Sequence, residues 1–149
     1  MTTNIAIFRG FSLVAVILSV FPTATGATSS CVNATFTEAR SLAELPAPVR
    51  SLLGADKPGL EGIADRAGKF NKTDALTPAT ADLPFRRFAL GAVASNCVLV
   101  VVERGGIAYS IELLIFQLNG AVWSEQRRPF STAVPASFDD LVSEFKPKD

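Results

Sequence analysis

Two stretches of this chain are apolar at almost every position. Cys97 to Glu103 reads CVLVVVE, and Ile107 to Leu118 carries Ile111, Leu113 and Ile115 on one parity and Leu114, Phe116 and Leu118 on the other. β-Branched residues at this density favour extended backbone. Successive side chains of a strand point to opposite faces, so these strands have no face suited to water and need cover on both sides.

The flanking segments supply the rest of a sheet. Arg87 to Ala94 alternates, with Phe88, Leu90, Ala92 and Ala94 on one side, and Ser95-Asn96 is a two-residue turn. Arg104-Gly105-Gly106 makes the next turn. Asn119-Gly120 carries the residues of a type I′ hairpin, after which Ala121 to Arg128 returns as a fourth strand ending at Pro129. A two-residue turn in that frame sets Leu118 opposite Ala121, Phe116 opposite Trp123, Leu114 opposite Glu125 and Glu112 opposite Arg127. The Phe116–Trp123 and Glu112–Arg127 pairs are both favourable across strands.

Short helices are predicted on either side of this sheet. Thr35 and Glu38 have capping-box spacing, which predicts a helix from near Thr37 through Leu42 towards Glu44. A second helix fits Pro48 to Leu53, with Gly54 as its stop and Leu42, Leu45, Val49, Leu52 and Leu53 as the buried stripe. Ser137 can cap a C-terminal helix carrying Phe138, Leu141, Val142 and Phe145. The expected class is α+β: a four-stranded antiparallel meander sheet flanked by short N-terminal and C-terminal helices. The N-terminal helices would cover one face, and the C-terminal segment or a second copy of the chain the other.

The first residues predict export. Arg9 precedes the apolar run Phe11 to Phe21, which is too short to cross a bilayer as a helix, and Pro22 and a string of small residues follow. Residues 1–27 are expected to be a cleavable signal peptide, with cleavage after Gly26 or Ala27. Residues 28–149 are expected to form a single small domain, with 28–34 a flexible leader and 55–84 a long loop. The expected location is periplasmic or extracellular. In such a compartment an even pair of cysteines forms a disulfide, here Cys31–Cys97.

Charge and composition narrow the function. Basic and acidic residues number 14 each, and removal of Arg9 with the signal leaves a slight acidic excess, which gives no footprint for nucleic acid. Histidine is absent, and with it the commonest metal ligand and neutral-pH general base. No cofactor motif occurs, and the segment Asp65 to Asp74 lacks the alternating oxygen ligands of a calcium loop. Asn33-Ala34-Thr35 and Asn71-Lys72-Thr73 fit the N-glycosylation triplet.

Because long ordered loops often carry function, residues 55–84 are the first place to look for a site. Asp65, Arg66, Asn71, Asp74, Arg86, Arg87, Arg104 and Tyr109 are the candidate binding residues. The pairs Arg86-Arg87 and Arg127-Arg128, if they converge, would hold a carboxylate or phosphate. The expected function is a small non-enzymatic interaction module of inhibitor, immunity or accessory type. Its partner would be a protein or envelope component, with no nucleic acid and no stable membrane span after cleavage, and a second copy of the chain is also a candidate. The alternative is a small secreted hydrolase or lyase that uses Tyr109 or the carboxylates Glu103, Glu112 and Glu125.

Overall fold

The structure, a computed structural model, describes residues 29–129 and 133–145. The expected signal segment lies outside these residues. Five strands form one antiparallel sheet in chain order: β1 (Thr37–Ala39), β2 (Arg86–Val93), β3 (Cys97–Arg104), β4 (Ser110–Asn119) and β5 (Val122–Pro129). Three helices accompany them: α1 (Ser29–Val32), α2 (Ala47–Leu53) and α3 (Phe138–Phe145). The class is α+β, with one more strand than expected.

The added strand lies where the sequence predicts a helix. Thr37, Glu38 and Ala39 pair with Val93, Ala92 and Gly91 on the outer side of β2. Glu38 takes the Arg40 guanidinium at 2.8 Å instead of capping a helix. A single 3-10 turn, Leu42–Glu44, follows before α2. The local capping signal yields to a ladder that satisfies the edge of β2.

The strand register departs from expectation at two places. Ala89 is the extra residue of a bulge between Phe88 and Leu90. The bulge turns Phe88 to the α2 face, whereas Leu90 and Ala92 stay on the α3 face. At the last hairpin Asn119 pairs with Val122, so the two turn residues are Gly120 and Ala121. Gly120 has a φ of 65°, and no non-glycine residue described has positive φ. That excludes type I′, which needs positive φ at both central residues, and matches a turn with glycine first. The frame moves every pair by two residues. Leu118 faces Trp123, Phe116 faces Glu125, Leu114 faces Arg127 and Glu112 faces Pro129. The shift is even, so each side chain keeps its expected face.

Both faces of the sheet are covered. On one, Val49 and Leu53 of α2, with Leu42, Leu45 and Ile63, bury Phe88, Val98, Val100, Val102, Leu114 and Phe116. Leu52, expected in this stripe, is half exposed. On the other face Leu141 and Phe145 of α3 cover Leu90, Leu99, Val101, Leu113 and Ile115. Ser137 caps α3, accepting the Asp140 N–H at 3.1 Å while its hydroxyl donates to the Asp140 carboxylate. Phe36 meets Phe145 edge to face, 6.3 Å between ring centres.

Within the expected leader, residues 29–32 form one helical turn that carries Cys31 onto the sheet. Its disulfide with Cys97 spans a sequence separation of 66 and buries both residues against the α3-side core. No helix among the described residues is long and apolar enough to cross a membrane.

Residues 55–84 are ordered as a loop that folds back on the sheet edge. A 3-10 turn, Gly59–Glu61, follows α2. Ala64 then bridges to Arg87 in parallel fashion, donating to Arg86 O and accepting from Phe88 N–H. Between Ala64 and β1, the outer side of β2 is covered along most of its length.

Candidate functional site

Two polar features converge at the sheet end formed by the start of β2, the end of β3 and the start of β4. The first is internal. Glu103, at the end of β3, is buried opposite Arg87 on β2. Arg87 Nε donates to Glu103 Oε2 at 2.6 Å, and Tyr109 Oη donates to Oε1 at 2.6 Å. The Arg87 guanidinium also lies over the Phe70 ring, 4.5 Å from its centre, and the Lys72 ammonium is 5.9 Å from the same centre. Burial alone would push the Glu103 carboxyl up. The hydrogen bonds from Arg87 and Tyr109, with the charges of Arg87 and Lys72, outweigh it and hold the group below the ordinary carboxylate range. The Tyr109 phenol is pushed up to about 12, by burial first and then by the hydrogen bond and charge of Glu103.

This arrangement is suited to holding structure. Across neutral pH the Glu103 carboxylate stays ionised and the Tyr109 phenol stays protonated, whereas acid–base work needs a group poised near neutrality. The carboxylates of the alternative activity are also divided between faces. Glu103 shares the α3 side with Leu99 and Val101, while Glu112 lies on the α2 side with Leu114 and Phe116. Glu112 pairs instead with Arg104, at 3.4 Å.

The second feature is an open cleft of about 720 Å³ between the Gly59–Glu61 turn and the loop joining β3 to β4. Leu60 and Ile107 line it as large aliphatic side chains, 71% and 95% exposed. Asp74, Arg104 and Glu112 bring charge to its walls, and Phe85 and Arg86 contribute to the lining between them. Gly105 draws the β3–β4 loop tightly against the long loop. A Cβ at this position would overlap the Asn71 carbonyl oxygen and press on Lys72 Cα. Its N–H donates to Phe85 O at 2.7 Å.

Of the expected binding residues, Asp74, Arg86 and Arg104 line this cleft. Arg86 is largely committed to the fold, donating to Leu53 O at 3.0 Å, Glu61 O at 2.7 Å and Gly62 O at 3.2 Å. Arg87 and Tyr109 belong to the Glu103 cluster. Asp65 accepts the Leu42 N–H at 3.1 Å and the Arg66 N–H at 2.7 Å, and so fixes the loop to the turn before α2. Arg66 is exposed, away from the cleft lining. Asn71 is buried, accepting from Thr73 N–H and donating through Nδ2 to Ala75 O at 3.1 Å. The nitrogen a glycan would need is therefore engaged, whereas Asn33 of the other triplet is exposed. The basic pairs Arg86-Arg87 and Arg127-Arg128 belong to strands that are not neighbours in the sheet. Two strands separate β2 from β5, roughly 14 Å at the usual spacing.

Sequence reasoning missed Leu60 and Ile107. The available signal was a lone aliphatic beside glycines in each turn, Gly59-Leu60 and Gly106-Ile107, but Ile107 reads equally well as the first residue of a strand.

Among the described residues no buried side-chain nitrogen or oxygen lacks a hydrogen-bond partner. Nor does any group of three or more His, Cys, Asp or Glu side chains among them converge to hold a metal ion. Comparison with protein-family models, curated proteins and solved structures finds no match to the chain. The fold and the cleft therefore define an α+β domain, closed by one disulfide, with a partly apolar groove at one end of its sheet.

Proposed function

We propose that the chain is an exported, non-enzymatic interaction module, and that its contact surface is the cleft between Leu60 and Ile107. The observation that carries this reading is the exposure of these two side chains at a single groove. Isolated surface aliphatics are ordinary, but two large ones sharing a groove rimmed by charge suit a protein surface. Asp74, Arg104 and Glu112 would set orientation on the partner, and the ordered loop 55–84 gives the surface its shape. The disulfide and the expected signal segment support a periplasmic or extracellular partner, a protein or an envelope component. The function is then of inhibitor, immunity or accessory type, and a second copy of the chain is a further partner within this reading.

Capture from an envelope or secreted fraction tests it, using wild type, Leu60→Asp/Ile107→Asp and the control Leu52→Asp. Loss of one specific partner in the cleft variant alone supports the assignment. Equal capture by all three proteins overturns it.

A further inference from the structure

β5 closes the sheet on one side, and among the described residues only β4 pairs with it. The opposite edge differs, because β1 and Ala64 cover most of β2. The direction of the backbone groups on β5 follows from the hairpin. Asn119 and Val122 flank a two-residue turn and form a hydrogen-bonded pair, so the even-numbered residues of β5 bond to β4. Trp123, Glu125 and Arg127 therefore turn their N–H and C=O groups outward. Pro129 falls at an outward position too, where its missing N–H removes nothing from the ladder with β4.

This edge is self-complementary. An antiparallel pairing of two copies about a two-fold axis at Gln126 sets Glu125 opposite Arg127 of the second copy, and Arg127 opposite its Glu125. Trp123 then faces the second copy's Pro129. With the symmetry-related Pro129–Trp123 contact, four pairs of outward-facing residues form; those with Pro129 have one bond each and the others two, which gives roughly six backbone hydrogen bonds across the axis. Moving the axis to Glu125 opposes two glutamates, and moving it to Ser124 leaves Glu125 opposite Trp123. The register centred on Gln126 is thus selected by charge. Glu125 already has a contact within its own chain, and the pairing adds to it.

We propose that β5 pairs with β5 of a second copy in this register, joining two sheets into one. The partner is the chain itself, and the contact is isologous. It is separate from the cleft, so losing it leaves the Leu60–Ile107 reading untouched.

Sedimentation equilibrium of the purified protein from about 1 to 300 µM tests the proposal. The expected result is a mass that rises with concentration towards twice that of the single chain. Glu125→Arg and Arg127→Glu should each weaken the dimer about tenfold by opposing like charges. The double variant Glu125→Arg/Arg127→Glu should return to within about threefold of wild type, because it exchanges the signs. A single-chain mass at every concentration overturns the proposal and makes the β5 charges a guard against edge pairing. A dimer indifferent to both single reversals, or a double variant as weak as the singles, overturns the register and with it the proposal.

Discussion

Arg87 and Glu103 sit directly opposite each other on β2 and β3, joined by an ion pair of 2.6 Å. Each also holds a residue of a neighbouring loop, Phe70 under the guanidinium and Tyr109 on the second carboxylate oxygen. One cross-strand pair thus fixes both the long loop and the β3–β4 loop.

The pair gives the fold a pH dependence of known sign. Glu103 is depressed in the folded chain, so its contribution is present above the unfolded carboxyl range, about pH 4, and is lost as pH falls through the depressed value. Tyr109 is raised to about 12, so its contribution is present below the ordinary phenol value, about 10, and is lost as pH rises through 12. Urea midpoints against pH should show a shallower acid limb in Glu103→Gln and a shallower alkaline limb in Tyr109→Phe. Near neutrality Glu103→Gln should cost about 1–3 kcal/mol, because Arg87 loses its charged partner. An unchanged acid limb would assign acid sensitivity to other carboxylates.

Arg86 gathers three carbonyls, Leu53 O, Glu61 O and Gly62 O, that follow or end α2. Arg86→Ala should cost about 2 kcal/mol, leaving part-buried carbonyls without this donor. Hydrogen exchange should quicken at Gly62 and Ala64, while the centre of β3 keeps its protection. Arg86→Lys should recover little, since a single ammonium does not reproduce the planar fork.

Gly105 has no room for a side chain against Asn71 and Lys72. Gly105→Ala should lower stability by about 1–3 kcal/mol through overpacking. The Phe70–Asn71 segment should become the most readily exchanging part of the long loop. Retention of wild-type stability and exchange would mean that the two loops separate without cost.

The disulfide closes a loop spanning 66 positions. On the chain-entropy model its removal, as Cys31→Ser/Cys97→Ser, should cost up to about 4 kcal/mol. The shift in urea midpoint between oxidised and reduced wild type should match that of the double variant. A much smaller shift would point to an unfolded state already restricted near the bridge.

The strands β2 to β5 were legible because alternation and β-branched runs are local signals, and α3 because Ser137, Leu141 and Phe145 sit at cap and core spacing. The pairing of the cysteines followed from their number. β1 was not legible. Its three residues are extended only because Gly91, Ala92 and Val93, some fifty positions away, offer an edge, while Thr35 and Glu38 imitate a helix start. The bulge at Ala89 left no trace in composition, since a small residue fits either face. At the last hairpin Gly120 serves a turn as its first or its second residue, and only the paired strands decide the frame. The charged candidates were mostly absorbed by the fold, as Arg86, Arg87 and Asp65 illustrate. Local sequence does not reveal which loop charges a neighbouring carbonyl or carboxylate will claim.

The bridge from α1 to the first residue of β3 also determines how the molecule bears force. Tension entering ahead of Cys31 crosses to Cys97 and loads the centre of the sheet directly. Everything between the two cysteines, including β1, α2, the long loop and β2, lies outside the load path. One lip of the cleft, Leu60, belongs to this sheltered segment, while Ile107 belongs to the strained one. A domain tethered by its N-terminal side would therefore carry load through β3 while the loop behind Leu60 stayed slack.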